Sequence, residues 1–210
     1  MPLPGMPIAA APCPAQGGAM TRLPRLTPQE LDAAQRVLYD AIAGGPRANG
    51  PQLFALTDSE GRLNGPFNAM LHAPAVGSAL QELGSALRYR STLSDRVREM
   101  SILIVAAHWD SAFEQYAHEP IGQAAGLSDA QLTAIRSGAA PELSDPTEAA
   151  AVDLVTALVA TGDVDDTLFG RAVSLNGMEA VVELTTLVGY YATLALQLRV
   201  FRVGQPGDPS

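Results

Sequence analysis

Glu99, His108, Glu114 and His118 stand in the run from Arg98 to Gly126, which otherwise reads as buried helix: Ile102, Leu103, Ile104, Val105 and Ala106 surround them. A carboxylate or an imidazole in such surroundings is costly to desolvate. Unless it is paired it destabilises the fold, and groups of this kind are often held for proton transfer. Two carboxylates with two imidazoles could exchange a proton with a substrate. They could also supply mixed nitrogen and oxygen ligands to a zinc or iron ion. The run contains no cysteine.

The spacing favours a meeting of these groups. Each helical residue advances about 100°. From Ser111, Glu114 is three residues on and His118 seven, so the three fall within about 60° on one face. Glu114 and His118 are also an i,i+4 pair. Glu99 lies at the start of the preceding apolar helix. If the two helices pack antiparallel across a break near Trp109-Asp110, Glu99 approaches the last turn of the second helix, where His118 lies. A purely structural account competes. Ser111-x-x-Glu114 fits a capping box, His118 could be a core histidine, and Glu99 a first-turn acid favoured by the helix dipole.

The elements that must carry these residues are helical. Thr27-Pro28-Gln29-Glu30 opens a helix that Gly44-Gly45 stops. A long Gly- and Pro-rich loop over 44–66 follows, of a length that usually has a function. Asn64-Gly65-Pro66-Phe67 launches a short helix toward His72, read as a helix-end residue. Pro74 opens the next, to Tyr89. Ser94 caps the Glu99 helix, Ser111 starts the His118 helix, and Ser128 starts a short one. Asp145 and Asp165 or Asp166 start two more, the second ending near Asn176-Gly177. The last runs from Met178 to about Phe201 and is apolar on nearly every face, which predicts burial all round, by its own core or by a second subunit. No alternating strand occurs, so the fold class is all-α.

Composition narrows the function. The 210 residues are 47% apolar, enough for one domain with a sizeable core. Net charge is -9 and pI about 4.7, which argues against nucleic acid and against an anionic membrane surface. All thirteen basic residues are arginine, so lysine Schiff-base chemistry is excluded. The single cysteine, Cys13, allows no intrachain disulfide, redox pair or thiolate zinc site. Residues 1–20 read as a disordered leader without a secretion signal, 21–203 as the helical domain and 204–210 as a flexible tail. The uncharged stretch Leu184 to Leu198 is too short to span a bilayer. A cytoplasmic protein is expected.

Arg98-Glu99-Met100-Ser101-Ile102-Leu103, Glu114-x-x-x-His118, Ala124-Ala125-Gly126-Leu127-Ser128, Leu187-Val188-Gly189-Tyr190-Tyr191 and Gly65-Pro66-Phe67 together resemble the carboxymuconolactone decarboxylase family, with its alkylhydroperoxidase D-like helical fold. The resemblance runs from about Leu23 to Val203. Its peroxidase branch carries a glutamate, a Cys-x-x-Cys pair and a histidine; here the glutamate falls on Glu99, the histidine on His118, and the cysteine positions on Ser111 and Glu114. The decarboxylase branch needs no cysteine and no cofactor. It implies a small carboxylic acid or lactone substrate, with His118 as proton donor or oxyanion partner and Glu99 or Glu114 fixing its tautomer. Among Arg88, Arg90 and Arg98, Arg90 is assigned to the substrate carboxylate, with His108, Trp109, Ser111 and Tyr116 as further contacts. The resemblance implies a homo-oligomer, a trimer or hexamer, with a dimer as the other option. The chain is longer than typical lactone decarboxylases, which leaves the substrate open. Two other readings stand beside this one: a metal enzyme using Glu99, His108, Glu114 and His118, and a non-catalytic binding or scaffold protein.

Overall fold

Local signals punctuate the described residues into eight α-helices. The computed structural model describes residues 21–45 and 53–206. The expected leader with Cys13, part of the 44–66 loop and the last residues of the tail lie outside the described residues. The helices are α1 (Ala33–Ala43), α2 (Pro66–Leu71), α3 (Pro74–Tyr89), α4 (Asp95–His108), α5 (Ala112–Ala124), α6 (Asp129–Arg136), α7 (Pro146–Thr161) and α8 (Asp166–Phe201). Among the described residues β structure is limited to one isolated bridge, Thr57 to Leu63. The fold is all-α.

Most starts follow from caps. The Ser94, Ser128 and Asp165 side chains accept from the N–H three residues on, at Val97, Gln131 and Leu168. The first helix departs from expectation. Glu30 bonds back to the Thr27 N–H at 2.8 Å, but this closes only a 3₁₀ turn, Pro28–Glu30, and Leu31 is extended. A second capping box then starts α1, with Asp32 and Gln35 bonding each other's backbone N–H. At the other end of the chain, Gly177 (φ 84°, ψ 160°) breaks α8 into two helical stretches, at the place the sequence suggests.

The central element is α4. Nine of its fourteen residues are buried, and it packs against α5, α6, α7 and α8. Met100 and Val105 are fully enclosed. The last helix, expected to be buried all round by its own core or by a second subunit, is covered by its own core on one side only. In α8, Leu184 and Leu187 are fully buried, but Met178, Val182, Leu196 and Val200 are 53%, 58%, 44% and 51% exposed. By length and composition alone α8 could cross a membrane, with mean hydropathy 1.3 over an 18-residue window, but 44% of that window is buried inside the protein, as in the core helix of a soluble fold. The helical span is longer than the uncharged stretch visible in the sequence because the charged residues near its ends continue the helix.

The start of the domain and the 53–65 loop are tied down. The Asn68 side chain donates to the Pro24 carbonyl and accepts from the Leu26 N–H. The Arg22 N–H donates to the Phe201 carbonyl at 2.8 Å. Arg25 pairs with Asp58, and the Tyr39 hydroxyl donates to the Gly61 carbonyl. The loop ends at Gly65 (φ 60°), where a Cβ would lie 2.1 Å from the Phe113 ring. Only glycine permits both that backbone and that approach. His72 ends α2, as expected, and its Nε2–H donates to the Pro24 carbonyl at 2.9 Å.

Candidate active site

The turn Trp109-Asp110-Ser111 reverses the chain, with Asp110 in the left-handed region (φ 51°). Helices α4 and α5 therefore form an antiparallel hairpin, and the early part of α4 faces the later part of α5. Glu99 and His118 meet there, with His118 Nδ1 2.7 Å from Glu99 Oε2. One turn earlier on α5, Glu114 Oε2 lies 3.4 Å from His118 Nε2. All three side chains are buried, Glu99 completely. Both ring nitrogens thus face carboxylates, a setting in which each acts best as an N–H donor.

Electrostatics agrees with the geometry. Burial by itself pushes the His118 imidazole toward the neutral form. The Glu99 charge and the bonds to Glu114 and Glu99 outweigh it and hold the pKa above the usual value. Burial by itself pushes the Glu99 carboxyl up. The charge and hydrogen bond of His118, then the charges of Arg88 and Arg98, outweigh it and hold the pKa below the usual range. Arg98 Nε stands 3.4 Å and Arg88 Nη1 3.9 Å from Glu99 Oε1. The Tyr191 ring meets the His118 ring edge-on, with centroids 5.3 Å apart and planes at 89°, and fixes its orientation.

A small cavity of about 20 Å³, partly open to solvent, lies over this chain of groups. Phe54, Phe67, Phe113, Tyr190 and Tyr191 form its aromatic walls; Arg88, Glu114 and His118 supply its polar groups. Glu114 Oε1 is buried and has no hydrogen-bond partner. A buried carboxylate oxygen left unpaired is costly.

The residues singled out from sequence separate into two groups. Glu99, Glu114 and His118 come together. Ser111 is buried at the N-cap of α5, yet its hydroxyl makes no capping bond and has no partner. The expected Ser111–Glu114 capping box therefore does not form, because Glu114 turns inward toward His118. His108, Trp109, Tyr116 and Arg90 do not line the pocket. His108 is exposed at the far end of α4. Trp109 caps that end, and its carbonyl accepts from Arg199. Tyr116 is 36% exposed on the outer side of α5. Arg90, the C-cap of α3, points to solvent and pairs with Glu82; Arg88, two residues and so about 200° of helix earlier, lines the pocket. Among the described residues no three His, Cys, Asp or Glu side chains converge as ligands to a metal, so Glu99, His108, Glu114 and His118 do not form a metal centre in this arrangement. The five aromatic wall residues were not read as site residues from sequence. Only the tandem Tyr190-Tyr191, in an otherwise aliphatic helix, carried a signal.

The all-α fold is similar to that of alkylhydroperoxidase D-like structures. Solved structures agree. The alkylhydroperoxidase AhpD core of an uncharacterized peroxidase-related protein from Ralstonia eutropha JMP134 is 14% identical, with a TM-score of 0.68 over 89% of this chain and 93% of that one. The debrominase Bmp8, in complex with 2,3,4-tribromopyrrole, is 12% identical, with a TM-score of 0.68 over 92% and 96%. A protein of unknown function from Agrobacterium tumefaciens is 19% identical, with a TM-score of 0.60 over 68% and 99%. At these identities the likeness is one of fold. No curated protein sequence matches the chain. Residues 74–157, two fifths of the chain, match the carboxymuconolactone decarboxylase family.

Proposed function

We propose that this protein is a cofactor-free acid–base enzyme acting on a carboxylated lactone or a related enolisable acid. The observation that carries this reading is the buried chain Glu99–His118–Glu114, ending at an unpartnered carboxylate oxygen beside an aromatic pocket. Aromatic side chains line the pocket, and a structural neighbour binds a substituted pyrrole.

In the decarboxylating form of this reaction the bond to the substrate carboxylate breaks. Its electron pair flows into the lactone carbonyl and forms an enolate. The enolate carbon then takes a proton and carbon dioxide leaves. Arg88, whose nearest carboxylate is 3.9 Å away, stabilises the anionic oxygen. His118 supplies the proton through Nε2, since its 3.4 Å contact to Glu114 is long enough to yield to a substrate atom. Glu99 keeps the ring charged and oriented. Glu114 Oε1 receives a hydrogen bond from the substrate. The resemblance puts Ser111 and Glu114 at the cysteine positions of the peroxidase branch, and in this reading no thiol takes part.

The test is carbon dioxide release from a panel of butenolide acids by the full chain, with His118→Gln and Arg88→Met. The expected result is a loss of at least ~100-fold in kcat for His118→Gln. Arg88→Met raises KM. Turnover untouched by both changes refutes the assignment.

A further inference from the structure

The cavity beside His118, at about 20 Å³, has room for about one water molecule. A ring-sized acid enters only if part of the wall moves. Phe67, Phe113, Tyr190 and Tyr191 are all buried and project from α2, α5 and α8, where dense packing resists a change of rotamer. Phe113 is further wedged against Gly65, in the space that a Cβ there would need. Phe54 differs on each count. It comes from the 53–65 loop, is only half-buried, and stands between the exposed Leu53 and Ala55. It meets the Phe113 ring edge-on, with centroids 6.5 Å apart and planes at 84°.

The backbone that follows Phe54 does not share this freedom. The buried Asn64 side chain donates to the Ala55 carbonyl at 2.8 Å, and the Asn64 N–H donates to the Leu56 carbonyl at 3.0 Å. Arg25 Nη2 donates to Asn64 Oδ1 at 2.6 Å. Leu56 is buried, and Thr57 is bridged to Leu63. The loop is thus pinned from the residue after Phe54 onward, and the part free to move is the ring. We propose that the Phe54 ring closes the site over His118, turns aside to admit a ligand, and so sets the size of acid accepted. With the ring in place water is excluded, which strengthens the action of Arg88 and His118 on a bound anion. The size of acid rests on the reaction proposed above; the closing of the site over His118 does not.

Diethyl pyrocarbonate acylates unprotonated imidazole, and the chain has three histidines. His72 and His108 are exposed and serve as internal standards, while His118 is buried. Peptide mass spectrometry of the full chain gives the three rates separately for wild type, Phe54→Ala and Leu53→Ala. Circular dichroism checks that each is folded. A dominant closed form leaves the open one at about a tenth or less, so Phe54→Ala is expected to speed His118 modification at least ~10-fold. His72 and His108 keep their rates, and Leu53→Ala behaves as wild type. Rates followed from pH 6 to pH 9 separate access, which changes the limiting rate, from basicity, which changes the midpoint. An unchanged limiting rate in Phe54→Ala overturns the proposal. So does a wild-type His118 with the limiting rate of His108, or an equal gain in Leu53→Ala, which assigns entry to the loop as a whole. In turnover, Phe54→Ala is expected to raise kcat/KM for a phenyl-substituted butenolide acid relative to the unsubstituted acid by ~10-fold or more. An equal effect on both acids overturns the size assignment. No turnover of either acid refutes the reaction and the size assignment with it, while the modification rates still decide whether Phe54 closes the site.

Discussion

Replacing Glu99 with glutamine tests whether the site is held together by a buried ion pair. The substitution keeps shape and an acceptor for His118 Nδ1–H but removes the charge. Two opposite charges about 4 Å apart attract by ~4 kcal/mol at an effective dielectric constant of about 20, and the 2.7 Å contact between Nδ1 and Oε2 puts this pair in that range. Arg98 and Arg88 lose the same partner. His118 can escape part of the penalty by releasing its proton, so the net cost is expected at ~3 kcal/mol, the low end for breaking one side of a buried pair. For a chain of this size that lowers Tm by roughly 6–12 °C. The pH dependence is sharper still. His118 has a raised pKa in the fold, so its contribution is complete below 6.5 and disappears as pH rises through the folded value. Glu99 has a lowered pKa, so its contribution is complete above 4.5 and disappears as pH falls through the folded value. The wild type is therefore most stable between these limits and declines on the alkaline side. Glu99→Gln is expected to lose that alkaline decline, because burial then opposes protonation of His118 with less to counter it. Urea unfolding from pH 5 to pH 9 measures both effects. A variant within ~0.5 kcal/mol of wild type throughout, or one with the same alkaline slope, refutes the ion-pair account.

Two further outcomes follow from packing and exposure. Gly65→Ala must hold a side chain at φ 60° with its Cβ 2.1 Å from the Phe113 ring; a loss of at least ~2 kcal/mol is expected, with Phe113 displaced from the pocket wall and near-ultraviolet circular dichroism altered. Arg136→Ala removes a two-pronged pair with Glu119 at the surface, where the side chains are 49% and 25% exposed; denaturation is expected to show a change under ~1 kcal/mol, and a larger one would mean that solvent screens this pair less than its exposure implies.

Much of the fold was legible because it is written locally. Ser94, Ser128 and Asp165 each cap a helix through a bond three residues long, and Gly177 takes a backbone conformation that interrupts one. The first helix shows where that legibility ends. Thr27–Glu30 and Asp32–Gln35 are both complete start signals five residues apart, and only the packing of α1 decides that the second begins the long helix. Ser111-x-x-Glu114 has the pattern of a cap but not its geometry, since Glu114 gains more from an imidazole in the interior than from a backbone N–H at the helix end.

The sequence alone determined the helical class, the absence of a cysteine pair between Glu99 and His118, and the placement of Glu114 and His118 on one face of one helix. Each follows from periodicity or residue type within a few turns. Only tertiary structure decided that Arg88 rather than Arg90 faces the pocket, that His108, Trp109 and Tyr116 lie outside it, and that Phe54, Phe67, Phe113, Tyr190 and Tyr191 enclose it. Those aromatic residues come from a loop and three different helices, and Arg88 from a fourth. Their convergence depends on how the helices cross and rotate against one another, and no spacing along the chain encodes that.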